Sequence, residues 1–156
     1  MTLRSLLFAA LFVISAQAQA WIAYGFQSGM SRFSVEGHLV DDGLLVTTGS
    51  DGETLAGPEE SRARYQLAYC SSPQKLFRMR YRLADSRDVF DATRHKFERR
   101  YGTPDSSGEL TDSASAEDWR NTDVSLIWQL NQTETILLEH DRDGTIAEFQ
   151  DLSVCQ

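Results

Sequence analysis

"KLFRMRYRL", residues 75–83, is written as a β-strand with two unlike faces. Phe77, Met79, Tyr81 and Leu83 alternate with Arg78, Arg80 and Arg82, and a period of two sends successive side chains to opposite sides of a strand. One side is apolar and the other cationic, so this strand belongs in an antiparallel sheet covered on one face and open on the other. Its neighbours follow the same rule. Residues 63–70 place Tyr65, Leu67 and Tyr69 on one face, and a turn at 71–74 containing Pro73 leads back to the Arg-bearing strand. Residues 44–48 form a short run of β-formers, while "GSDGETLAGPEES", 49–61, is Gly-rich and acidic and reads as an exposed loop. Further on, 124–130 alternates Val124, Leu126, Trp128 and Leu130 with Ser125, Ile127 and Gln129. Residues 133–140 follow a tight turn at Asn131-Gln132, and "DRDG", 141–144, is a hairpin turn into 145–152.

Two segments carry helical spacing instead. In "YGFQSGMSRFSVEGHLV", 24–40, Ser31 is an N-cap whose hydroxyl accepts from the first turn, and Met30 and Val35 have the spacing of a hydrophobic staple. Val35 and Leu39 then share a face, with Phe33 beside them, and Gly37 weakens the middle by about 1 kcal/mol relative to Ala. The helix should end near Val40. A second helix, capped by Asp85 or Ser86, carries Val89, Phe90, Thr93, Phe97 and Tyr101 on one stripe and stops at Gly102 and Pro104. "TPDSSGELTDSASAED", 103–118, is small, polar and acidic and reads as a loop. The order is therefore helix and three strands, then helix and three strands. It defines an α+β fold with two helices packed on one face of a twisted antiparallel sheet, and suggests a helix-β-β-β tandem. Tyr24, Phe26, Phe33, Phe77, Tyr81, Phe90, Phe97 and Trp128 are assigned to the core. Trp21 and Trp119 are harder to place inside, and Trp119 is a candidate binding residue because exposed Trp is enriched at binding hot spots.

Residues 1–20 read as a secretory leader. Arg4 is the only charge, residues 6–14 are an apolar run, and Ala16, Ala18 and Ala20 are small residues suited to cleavage. An uncleaved anchor is the rival reading, but a spanning helix needs about 20 apolar residues. Cleavage after Ala18 or Ala20 leaves one domain, 21–156, long enough to bury its own core. Its destination is periplasmic or secreted, from a bacterial source. The 41% hydrophobic and 10% aromatic content supports a globular fold. Loss of Arg4 takes the net charge from −8 to about −9, and such a surface argues against nucleic acid or anionic membrane as partners. Cys70 and Cys155 are an isolated pair that in an oxidising compartment reads as one disulfide. Closing that long loop stabilises the fold by up to roughly 4–5 kcal/mol. The alternative, a redox-active pair, usually wants a Cys-x-x-Cys spacing.

The element order and "GMSRFSVEGHL", 29–39, resemble the BamE-like and β-lactamase-inhibitor-protein-like group of small bacterial envelope proteins. "RHKFERRYGTP", 94–104, is similar to the second helix ending in that group. The resemblance implies helices on an antiparallel sheet and a non-catalytic protein that binds other envelope proteins. The chain departs from BamE itself in having no Cys at the mature N-terminus for a lipid, and in placing Ser34 where a capping box would place Glu or Gln.

No signature of catalysis or cofactor binding emerges. His38, His95 and His140 lack metal-ligand spacing and read as surface residues, and there is no Gly-x-Ser-x-Gly elbow. Glu59-Glu60, Asp41-Asp42 and Asp141/Asp143 fall in loops, so no metal and no cofactor is expected. The pointed feature is the Arg78, Arg80, Arg82 row, three guanidiniums about 6.5–7 Å apart, which Arg62 and Arg64 would extend if the strands register suitably. Such a row clamps an anionic ligand or an acidic patch of a partner. Alternatively, acids on the neighbouring strands neutralise it. The expected function is binding of another envelope protein, as an inhibitor, immunity-type or assembly factor, through this face. The alternative is a small-molecule or lipid-binding module with a pocket between helices and sheet. A third, a hydrolase, would require a buried carboxylate or His in a cleft.

Overall fold

A computed structural model describes residues 21–59, 62–107, 119 and 122–156. Residues 1–20, expected to be a leader, and residues 60–61, 108–118 and 120–121, which include parts of the two expected acidic loops, lie outside the described residues. The Arg-bearing strand sits in the middle of an eight-stranded antiparallel sheet. Ahead of the sheet come the small hairpin β1 (Ile22–Ala23) and β2 (Phe26–Gln27) and the helix α1 (Arg32–Asp41). The sheet then takes β3 (Leu45–Thr48), β4 (Thr54–Gly57), β5 (Tyr65–Tyr69) and β6 (Leu76–Arg82). After α2 (Arg87–Tyr101) it takes β7 (Ser106–Ser107), β8 (Val124–Gln129), β9 (Glu134–Asp141) and β10 (Gly144–Asp151), and a 3₁₀ turn (Leu152–Cys155) follows. The strand order is β3-β4-β5-β6-β10-β9-β8-β7. Each half is thus a helix followed by a four-strand meander, and the halves meet through their last strands, β6 and β10.

The expected tandem is present with one more strand per half. β4 was hidden in the Gly-rich acidic segment because it is only four residues long and ends in Gly57. That glycine is required: a Cβ there would stand 2.2 Å from the Arg62 carbonyl oxygen. The second extra strand, β7, is two serines.

Both helices begin as expected. Ser31 Oγ accepts from the Ser34 amide and Ser86 Oγ from the Val89 amide, each at 3.2 Å. Val35 and Leu39 of α1, and Phe90, Thr93 and Phe97 of α2, are the buried stripes. Phe97 packs edge-on against Trp128 of β8 and Phe149 of β10, and Trp128 Nε1 donates to the Gly102 carbonyl that ends α2, at 2.8 Å. The core thus lies between the helices and one sheet face, lined by Leu67, Met79, Leu126, Ile136, Leu138 and Phe149.

Two core assignments are corrected. Phe33 is 88% exposed, because it stands on the α1 face away from Val35 and Leu39. Phe77 is only half-buried, and Leu76 is buried in its place. A register shift at Ala68/Tyr69 interrupts the strict alternation at the start of β6. Trp21 and Trp119, expected at the margin, are 2% and 4% exposed. Cys70 and Cys155 are joined, with Cα atoms 5.3 Å apart, tying the end of β5 to the turn after β10. No helix among the described residues is long and apolar enough to cross a membrane.

Candidate functional site

The helices cover one face of the sheet, and the arginine row of β6 lies on the other. Register places Arg78 opposite Gln150, Arg80 opposite Glu148 and Arg82 opposite Ile146. The three guanidiniums meet three different fates. Arg80 Nε donates to the Glu148 carboxylate, so cross-strand neutralisation holds for this member. Arg82 Nη1 donates to the Asp143 carbonyl in the β9–β10 turn, which engages the side chain without cancelling its charge. Arg78 lies over the Phe77 ring, 5.8 Å from its centroid.

The hairpin registers so that the row is extended. The Arg82 amide donates to the Arg64 carbonyl at 2.8 Å, and the exposed side chains of Arg62 and Arg64 stand at the same end of the sheet. Pro58, Arg62, Arg64, Tyr81 and Arg82 line an open cleft of about 770 Å³ there. A smaller hollow of about 230 Å³ adjoins it on the open face, bounded by Glu53, Gln66, Arg64, Arg80 and Arg82. Arg64 and Arg82 belong to both. Among the described residues neither forms an ion pair with a carboxylate. A planar guanidinium presents paired donors in a fork that fits a carboxylate or phosphate, and Arg62, Arg64 and Arg82 all line this cleft.

Trp119 does not join this surface. It lies under α2, edge-on to Phe90 and stacked on His140 with ring centroids 4.0 Å apart. His140 is likewise a core residue, 1% exposed, whereas His38 and His95 are exposed as expected. His140 Nε2 donates to the Trp119 carbonyl at 3.0 Å, and Nδ1 is 3.0 Å from the Thr145 hydroxyl and 3.7 Å from Asp85. At the other end of the β9–β10 hairpin, Glu134 and Asp151 are buried opposite one another. Burial, and then the Asp151 charge, push the Glu134 carboxyl above its ordinary range. Sequence reasoning missed both polar pairs, yet the signal was there. Glu134, Ile136, Leu138 and His140 alternate onto one face, as do Thr145, Ala147, Phe149 and Asp151, so the apolar members announce where the polar ones point.

Where α2 meets the N-terminal hairpin, a hollow of about 240 Å³ is lined by Ile22, Tyr24, Lys96, Arg100, Tyr101 and Phe149. Burial, followed by the neighbouring Tyr81 and Tyr65, pushes the Tyr24 hydroxyl up to about 12, so it stays protonated at neutral pH. Among the described residues no group of three or more His, Cys, Asp and Glu side chains is placed to hold a metal. Comparison with known proteins returns no match to a family model, to a curated protein or to a solved structure. The likeness to the BamE-like group therefore rests on the pattern in the chain.

Proposed function

We propose that this protein is exported, loses its leader by cleavage after Ala18 or Ala20, and binds another protein of the bacterial envelope through its uncovered sheet face. The observation that carries the reading is the convergence of Arg62, Arg64 and Arg82 on one open cleft in a chain that is otherwise acidic. The partner presents carboxylates to that cleft, and charge matching sets orientation and association rate. The leader pattern and the joined Cys70–Cys155 pair support an oxidising destination. Two helices on one face of an antiparallel sheet is also the layout of the BamE-like and β-lactamase-inhibitor-protein-like group, which supports the same class of role: inhibitor, immunity-type or assembly factor. A pocket for a small molecule or lipid between helices and sheet has less support. The hollow beside α2, at about 240 Å³, is smaller than the roughly 300–1,000 Å³ of most ligand sites.

The test is capture from envelope extract with the oxidised domain, beside an Arg64→Glu/Arg82→Glu variant. Arg80 is left alone, because a carboxylate there would face Glu148 across the strands and weaken the sheet. One protein retained by the wild type, bound by it in pure form with salt-sensitive affinity, and bound at least tenfold more weakly by the variant is the expected result. Equal binding by the variant, or no specific capture, would sink the reading.

A further inference from the structure

Among the described residues, Glu134 and Asp151 are a buried carboxylate pair with no cation. They face each other across β9 and β10 and are 2% and 3% exposed. Asp151 is well served. Its Oδ1 accepts from the Ser153 amide at 3.0 Å and the Ser153 hydroxyl at 2.6 Å, and its Oδ2 from the Ser28 hydroxyl at 2.9 Å. Glu134 is not. Its Oε2 accepts from Asn131 Nδ2 at 3.1 Å, while its Oε1 is buried with no hydrogen-bond partner. The ion pairs among the described residues all lie elsewhere. Tyr101 of α2 also interacts with Glu134, and it is no cation. Buried charges are normally paired, and an orphan carboxylate oxygen next to a second carboxylate asks for a positive donor.

One main-chain nitrogen is already in position. The backbone N–H of Trp21 donates toward the Glu134 carboxylate. The Trp21 carbonyl accepts from the Ser28 amide at 3.2 Å, the same Ser28 whose hydroxyl holds Asp151. Its indole is buried and packs 5.8 Å from the Phe149 ring. Trp21 is thus held at its amide, its carbonyl and its side chain, directly after the small residues that suit leader cleavage.

We infer that hydrolysis of the Ala20–Trp21 bond supplies the missing cation: the α-ammonium of Trp21 becomes the buried partner of Glu134 and Asp151. The step adds one water. Its hydroxyl goes to the Ala20 carbonyl carbon, its hydrogen goes to the Trp21 nitrogen, and that amine takes a further proton from solvent. An α-amino group ordinarily titrates near pH 7.7–8.0, and two adjacent carboxylates hold the proton more tightly. One amide N–H is replaced by three charged N–H donors, enough to reach the vacant Oε1 as well. The assignment rests on the export reading and chooses between its two cleavage points. A cut after Ala18 leaves the Trp21 nitrogen an uncharged amide, whereas a cut after Ala20 completes the site. It also makes the leader-bearing chain the less stable form.

The experiment has two arms. First, the protein is purified from the envelope and its N-terminus sequenced, with Trp21 expected as the first residue. Retention of the leader would overturn the export reading, and a Gln19 start would overturn the cleavage assignment while leaving export intact. Second, protein beginning at Trp21, released from a traceless fusion, is compared with protein carrying Gln19-Ala20 in front and with the Nα-acetylated Trp21 form. The free Trp21 form should melt roughly 5–10 °C higher than either, and its α-amine should react with an acylating reagent at least tenfold more slowly than that of the extended form. In Glu134→Gln, or in Asp151→Asn should the first fold poorly, the melting gap should shrink by more than half. Equal melting of the three forms, or a gap unchanged by both substitutions, would overturn the pairing.

Discussion

The β9–β10 hairpin buries a polar pair at each end, and the two ends are solved differently. Beside the turn, His140 and Thr145 face each other, and the imidazole has both nitrogens engaged, by the Trp119 carbonyl and the Thr145 hydroxyl. At the far end, Glu134 and Asp151 face each other and one carboxylate oxygen has no partner. Fully bonded, a buried polar cluster holds one arrangement of the core; incompletely bonded, it is a cost waiting for a ligand. The comparison teaches that burial alone does not mark a functional group. The His140 end leaves one neutral donor unpartnered, the Trp119 indole N–H, whereas the Glu134 end leaves a carboxylate oxygen unpartnered beside a second carboxylate.

The largest effect should come from the closed end. His140→Ala removes a ring stacked on Trp119 and orphans two polar partners, so it should cost about 3–4 kcal/mol in denaturant melts. A loss under about 1 kcal/mol would mean that the network contributes little. Next comes Cys155→Ser, which releases the segment that follows Asp151 and should cost about 2–4 kcal/mol. Hydrogen exchange should show protection lost first around Glu134 and Asp151, with the His140 end retained, whereas uniform loss would erase the distinction between the ends.

A third effect is a pH slope. In protein extended ahead of Trp21, burial raises the Glu134 pKa above the ordinary 4.5. A raised carboxyl makes the folded state the tighter proton binder. Its favourable contribution is therefore complete below the ordinary value and is lost as pH rises through the folded one. Stability should fall with rising pH in that window, and Glu134→Gln should flatten the fall. Smaller still, Thr145→Val removes one hydroxyl from His140 and should cost about 1 kcal/mol. Ser31→Ala, distant from both ends, should cost a similar ~1 kcal/mol and leave the pH slope unchanged, which makes it the control.

Much of this architecture could be read from the chain because it rests on local rules. The Arg78-Arg80-Arg82 alternation, the Ser31 and Ser86 caps and the Gly102 stop each follow from spacing within a few residues. The errors came where a distant partner decides. A bulge exchanged Phe77 for Leu76, β4 exists because β3 and β5 pair with it on either side, and Trp119 is buried because His140 offers it a ring. Of the candidate site, the Arg row was legible, but its extension by Arg64 needed the β5–β6 register, which no short stretch states. Glu134 and Asp151 were not singled out from the sequence, because it is the β9–β10 register that sets them face to face.

The taper of the sheet has a consequence for any partner. Its middle strands run to seven and eight residues, while the described outer strands are four and two. A rim that short offers few free N–H and C=O groups, so an incoming chain gains little by adding itself as a further strand. On the proposed reading, contact would instead be made broadside, with side chains meeting side chains across the uncovered surface. Recognition would then follow the placement of guanidiniums more than backbone pairing.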